Sequence, residues 1–274
     1  MSFSVGFIGA GVMAETMIAG VLEHGVLASD CVFVADPNAS RREQLATRFG
    51  VGTSESNSQV CEQVDLLVLS VKPQSLAGVL RELSGTLKPE VQVLSIVAGA
   101  SLSSIRGGLG HQAVARAMPN LPCRIHRGMT VWTGDVAKGT HPMIEAVLEG
   151  MGQQVRVDRE SDVDRATAVN GTGPAIVAEF VKAFTEAAAY IGEPRDLAHE
   201  TVLATLLGTV EMIRESDEHV AQLIDEVTSP GGTTSRALQV LKQGRFSAVL
   251  TESVDAAHQR TLELGRLLDE AIKD

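Results

Sequence analysis

The stretch Val5-Gly6-Phe7-Ile8-Gly9-Ala10-Gly11-Val12-Met13-Ala14 decides the fold of this chain. Val5 to Ile8 is a short apolar run that stops at a glycine, and from Met13 to Leu22 apolar residues recur at helical spacing. Gly-x-Gly-x-x-Ala between a strand and a helix permits a tight turn. It also lets the backbone approach a pyrophosphate, which then rests on the helix N-terminus. Ile8, Gly9, Ala10, Gly11, Val12 and Met13 are therefore the first candidate cofactor contacts. Alone, the pattern also describes a plain strand–helix turn, so the surrounding chain has to decide.

Outward from this turn, short apolar runs alternate with helical stretches. The runs are 31–34, 66–69 and 91–97, and helical patterns span 40–49 and 75–83. The runs are mostly apolar on both faces, which suits parallel strands covered by helices on both sides. The alternation predicts an α/β fold with a doubly wound parallel sheet. The runs 113–117 and 129–133 are candidates for further strands. After about residue 158 the pattern turns to helices alone: one from Asp162 to Ile191, a stop at Gly192 and Pro194, a second to Arg214, and a last from Phe246 to Ile272. The expected division is a dinucleotide-binding domain over 1–158 and a helical domain over 159–274. The helices hold few aromatics and many Ala and Gly, a composition suited to packing against a copy of the same chain.

Composition narrows the class. The chain has 274 residues, 44% hydrophobic and 21% charged, which is ordinary for a globular protein. Lys plus Arg number 23 against 34 for Asp plus Glu, a net charge of −11, and such a surface disfavours nucleic acid. No apolar run approaches the roughly 20 residues of a membrane span, and Met1 to Val5 lacks the basic and apolar regions of a secretory leader. Three scattered cysteines, Cys31, Cys61 and Cys123, read as thiols of a reducing compartment. The expectation is a cytoplasmic protein without nucleic-acid or membrane partners and without a metal site.

Asp36 closes the second run, where an acidic residue would bind a ribose hydroxyl. Arg41 and Arg42 follow, where a 2′-phosphate would be held, and the plain alternative for Asp36 is a turn former before Pro37. The choice between NAD and NADP stays open on these residues. Ser70-Val71-Lys72-Pro73 and Ala98-Gly99 end later strands on the cofactor side of such a sheet. Lys72 reads as catalytic, phosphate-binding or simply solvated, and Asn120 as a nicotinamide neighbour or a turn residue. Finally, Thr228-Ser229-Pro230-Gly231-Gly232-Thr233-Thr234-Ser235 precedes a short helical pattern over 236–242. Hydroxyls, paired glycines and a helix start make an anion cradle, or a helix cap with a glycine-rich loop. Three charge-assisted hydrogen bonds at about 1.5 kcal/mol each come to about 4.5 kcal/mol, an affinity of about millimolar that suits a small carboxylate.

Taken in order, the first turn, Ser70–Pro73, Ala98-Gly99, Arg116–Asn120 and the stretch from Thr228 to Leu241 resemble the pyrroline-5-carboxylate reductase family across nearly the whole chain. The resemblance implies a Rossmann domain followed by a helical domain that interleaves with a second subunit, in a dimer or a larger assembly up to a decamer. It implies reduction of a cyclic imine acid, L-1-pyrroline-5-carboxylate, to L-proline by hydride from NADP(H), with NAD(H) as the alternative. Thr234 then matches the threonine that hydrogen-bonds the ring nitrogen. Ser229, Gly232 and Thr233 match the carboxylate loop, and Asn57 an asparagine at the adenosine end of the cofactor. Ser70, Val71, Lys72, Pro73 and Ala98 line the cofactor side. The chain departs from the family's Ser-Gly-Ser-Gly-Pro-Ala-Tyr with Asn170-Gly171-Thr172-Gly173-Pro174-Ala175-Ile176, which admits a different cyclic imine acid as substrate. β-Hydroxyacid dehydrogenases share the domain order but place a lysine four residues beyond a Gly-x-Gly, where this chain has Val177. A non-catalytic dinucleotide-binding regulator is the remaining alternative.

Overall fold

The computed structural model describes residues 3–135 and 141–273; Met1 and Ser2, part of the stretch read above for a leader, lie outside it. The strands are β1 (Val5–Ile8), β2 (Val32–Ala35), β3 (Gly52–Ser54), β4 (Leu66–Leu69), β5 (Gln92–Ser95), β6 (Val114–Met118), β7 (Gly128–Asp135) and β8 (Gly152–Arg156). The helices are α1 (Val12–Glu23), α2 (Ala39–Phe49), α3 (Asn57–Cys61), α4 (Pro73–Leu83), α5 (Leu102–Leu109), α6 (His141–Glu149) and α7 (Glu160–Ala166). They continue with α8 (Gly173–Tyr190), α9 (Arg195–Glu215), α10 (Val220–Glu226), α11 (Thr233–Gln243) and α12 (Phe246–Lys273). Among these residues no helix is long and apolar enough to cross a membrane.

All eight described strands form one sheet in the order β3-β2-β1-β4-β5-β6-β7-β8, parallel throughout except for the β6–β7 pair. β1 lies between β2 and β4, with Val5 opposite Val32 on one side and Leu66 on the other. The strand order reverses direction at β1, the switch point at which open sheets of this kind form a ligand crevice. Strand periodicity builds two cores. Val5 and Phe7 of β1, with Leu66 and Val68 of β4, join Met17, Ile18 and Val21 of α1 and Leu148 of α6 on one face. Ile8, Leu67 and Leu69 join Val60 of α3, Leu76 and Leu80 of α4, Ile105 of α5 and Leu268 of α12 on the other. Burial on both faces explains why these runs read as continuously apolar.

Two compact units make up the chain, one of residues 1–172 with 256–274 and the other of 173–255. In the second unit α8 and α9 pack side by side, and Phe180 meets Phe184 and Phe246 with ring centroids 5.8 and 6.4 Å apart. The single helix expected from Asp162 to Ile191 is interrupted. Between α7 and α8, Thr167 to Gly171 widen into a π-helical turn, so the helical spacing of Val163, Ala166 and Val169 does not run on unbroken into α8. The Thr167 hydroxyl donates back to the Val163 carbonyl at 2.8 Å, while the Thr172 amide reaches five residues back to the Thr167 carbonyl. π turns of this kind concentrate at functional sites.

Candidate active site

The crevice over β1 and β4 is built from a turn that the sequence makes obligatory. Gly9 has φ +99°, and a side chain there would also press within 3.0 Å of the Ser70 main chain. Ser70 fastens the turn from the other side, its hydroxyl lying 3.0 and 2.8 Å from the Ile8 and Gly9 carbonyls and its amide donating to Ile8 at 3.0 Å. Gly11 differs in kind. Its backbone is extended, and a Cβ there would meet only the Ser70 carbonyl, 4.0 Å away. The missing side chain leaves room above the turn, as a closely approaching pyrophosphate requires. α1 also starts without a side-chain cap, so its first-turn N–H groups suit an outside acceptor. These features fit a dinucleotide.

The cleft measures about 620 Å³ and is lined by Ile8, Gly9, Gly11, Asp36, Asn57, Ser70, Val71 and Lys72 of the expected residues. Ala10, Val12, Met13, Pro73 and Ala98 are not on its wall. Ala10 instead donates its amide to Asp36, Val12 and Met13 open α1, and Pro73 is the first residue of α4, where a missing N–H costs nothing. Ala98 is exposed on the turn after β5. Lys72 caps α4 by backbone alone and stands exposed at the rim.

Sequence reading missed Glu55, Ser75, Val79 and Glu82, which also line the cleft. Glu82 accepts a 2.7 Å hydrogen bond from the Asn57 amide, so the expected asparagine arrives with a carboxylate attached. Glu82 sits one turn after Val79 on α4, and helical spacing from Ser75 was the available signal. Glu55 follows the three-residue strand β3, which carries no apolar pattern.

Asp36 is held by its surroundings. One carboxylate oxygen accepts from the Ala10 amide at 2.8 Å, and the other accepts from the Asn38 amide at 2.8 Å. Arg41 donates from Nε to the Ala10 carbonyl at 2.6 Å, from Nη1 to Gln44 at 3.2 Å and from Nη2 to Glu15. Glu15 also pairs with Arg48, and the hydrogen bond from Arg41 holds its carboxyl below the usual range. Arg42 donates to the Asp36 carbonyl at 2.6 Å, with Glu55 at 3.7 Å from its guanidinium.

Asn120 is drawn into a clamp. Its Nδ2 donates to the side-chain Oδ1 of Asn170 at 2.7 Å, and its own Oδ1 accepts from the Met129 main-chain amide at 3.0 Å. Asn170 in turn donates to the carbonyls of Met118 and Met129 at 3.2 and 2.8 Å. The departure from serine at position 170 therefore has a structural use: it ties the π turn to the ends of β6 and β7.

In the helical unit, the loop before α11 has the backbone of an anion cradle. Gly231 takes φ +73°, and the Gly232 amide donates to the Ser229 carbonyl at 3.0 Å. Gly232 then caps α11 with no side-chain hydrogen bond to the first turn. Ser229 and Thr233 are exposed and Thr234 half-buried at that helix start.

The family model described as pyrroline-5-carboxylate reductase dimerisation matches residues 160–264, and one described as NADP oxidoreductase, coenzyme F420-dependent, matches 4–99. A pyrroline-5-carboxylate reductase from Synechocystis sp. is 38% identical over 97% of this chain and 100% of its own length. Pyrroline-5-carboxylate reductase 3 from Rattus norvegicus is 37% identical over 96% of each chain. Among solved structures, a pyrroline-5-carboxylate reductase from Coxiella burnetii superposes with a TM-score of 0.89 at 30% identity, covering 96% of this chain and 99% of that one. The Plasmodium falciparum enzyme, solved with NADP bound, superposes with a TM-score of 0.87 at 26% identity over 96% and 98%. With 38% identity over 97% of its length and a TM-score of 0.89 over 96%, this chain belongs to the pyrroline-5-carboxylate reductase family.

Proposed function

We propose that this protein reduces L-1-pyrroline-5-carboxylate to L-proline, with NADP(H) or NAD(H) bound in the β1–β4 crevice. The observation that carries this reading is the room left above Gly11, beside a turn locked by Ser70, in a chain of this family. A bound reduced nicotinamide supplies the hydride. The chain's own residues supply position. Ser229, Gly232 and Thr233 hold the substrate carboxylate at the open start of α11, and the Thr234 hydroxyl orients the ring nitrogen. Once that nitrogen is protonated the neighbouring carbon is already electrophilic, so orientation is the protein's main contribution and no strong side-chain acid is needed. Asn57 serves the adenosine end, with Ser70, Val71 and Lys72 along the cofactor. The helical half mediates self-association, as a dimer or a larger assembly up to a decamer. Three free thiols suit a cytoplasmic location.

The test is absorbance-followed oxidation of NADPH and NADH with the five-membered imine acid and then its six-membered analogue. Turnover with the first supports the reading. Turnover with the second alone moves it to another cyclic imine acid, and silence with both, from protein that binds nucleotide, moves it to a regulator. Thr234→Ala is expected to lower turnover about a hundredfold, in the range for removing one positioned hydrogen-bond donor, while nucleotide affinity holds. An unchanged rate removes Thr234 from the mechanism. Gly11→Val keeps the fold and abolishes nucleotide binding; normal affinity in that variant sinks the placement of the pyrophosphate.

A further inference from the structure

Asp36 stands at the end of β2, beside the phosphate turn, with both carboxylate oxygens fixed by main-chain amides. Each oxygen keeps a lone pair, so the group is ready to accept from a diol. Two further carboxylates, Glu55 and Glu82, line the same cleft, where Lys72 is the one cation among the residues that form it. The two arginines next in sequence are already engaged. All three guanidinium nitrogens of Arg41 have partners in Ala10, Gln44 and Glu15, and Arg42 is directed to the Asp36 carbonyl and Glu55.

A 2′-phosphate would bring a charge of about −1.5 to −2 and acceptors only. It would meet a carboxylate that has no hydrogen to donate, with neither Arg41 nor Arg42 on the cleft wall and both guanidinium groups already turned to other partners. A 2′-hydroxyl would instead donate to Asp36. We propose that Asp36, with Arg41 sequestered by Glu15, makes the adenosine end of this cleft select NAD(H) over NADP(H). This rests on the reading of the crevice as a dinucleotide site. Both forms deliver the same hydride, and the selection is one of affinity.

The experiment is equilibrium binding to the full-length protein, by calorimetry and by the fluorescence of NADH and NADPH. Adenosine 5′-monophosphate and adenosine 2′,5′-bisphosphate serve as competitors differing by the 2′-phosphate. Tighter binding of NADH by about tenfold or more, and stronger competition by the monophosphate, is expected from like-charge juxtaposition at the cleft. Asp36→Ser is expected to close most of that gap, chiefly by tightening NADPH. Asp36→Asn, which keeps the shape and an acceptor oxygen for one of the Ala10 and Asn38 amides, serves if the serine variant fails to fold by circular dichroism. NADPH binding as tightly as NADH in the unaltered protein overturns the proposal, and so does a gap that survives loss of the Asp36 charge. Failure of either dinucleotide to bind folded protein is the distinct result that overturns the crevice reading as well.

Discussion

Phe7 of β1 is fully buried within its own unit, whereas Phe184 of α8 keeps 41% of its surface exposed in the single chain. The contrast extends to their neighbours. Around Phe7, Met17, Ile18, Leu66 and Trp132 are sealed to within 2%. On α8 and α9, Val177, Phe180, Leu203, Leu207 and Val210 are each at least 40% exposed, while Ala198 and Val202 are buried. The sheet-bearing unit closes its core with its own residues. The helical unit is written for a core that one chain only half supplies, which agrees with a dimerisation family over 160–264. Continuous exposed apolar surface of this kind marks an association site.

Truncating the same side chain in the two units separates these cases. Phe7→Ala is expected to destabilise by about 3–5 kcal/mol, by an amount independent of protein concentration, in denaturant titration. Phe184→Ala is expected to cost less in the dilute single chain and to lower the melting temperature in a concentration-dependent way. Its mass by sedimentation equilibrium should shift toward one chain, since association stabilises only the folded form. Equal, concentration-independent losses in both variants would break the distinction.

The smallest effect is electrostatic and belongs to the sheet-bearing unit. Glu15 titrates below its ordinary value of 4.5 in the folded protein, chiefly through Arg41. A depressed folded pKa stabilises above the unfolded value and is lost as pH falls through the folded one. Glu15→Gln should therefore leave a shallower loss of stability below about pH 4.5 and cost under about 1 kcal/mol at neutral pH, as partly exposed pairs do. An unchanged acid limb would remove the Arg41–Glu15–Arg48 cluster from the stability of the turn.

The same contrast governs what could be read from sequence. β1, β2 and β4 were legible because burial on both faces writes an uninterrupted apolar run, and β5 because Val93 and Leu94 sit within the mostly apolar stretch 91–97. β3 and β8 were not, because Gly52–Ser54 and Gly152–Arg156 are short edge strands with little apolar character. The glycine turn and Asp36 were legible as a pair, since backbone geometry and strand order fix both. Glu55 and Glu82 were not, because an exposed glutamate looks alike on a wall or in solvent. The engagement of Arg41 by Glu15 joins residues 26 apart and became visible only once α1 and α2 were placed. The π turn had no signal beyond Asn170, an unusual residue whose partners lie on β6 and β7.

Gly99 and Gly265 meet main chain to main chain. A side chain on the first would lie 3.3 Å from the Gly265 nitrogen, and one on the second 3.1 Å from the Gly99 carbonyl. The turn after β5, which presents Ala98, is thus gauged by α12 with no flexible spacer between them. For anyone engineering this protein, the final helix is a fixed neighbour of the turn after β5 rather than a free tail. A fusion or trim that moves residues 256–273 would reach the Ala98 turn, and a side chain in place of either glycine would make the facing main chain give by a few tenths of an ångström, with the left-handed φ of +82° adding strain at position 99.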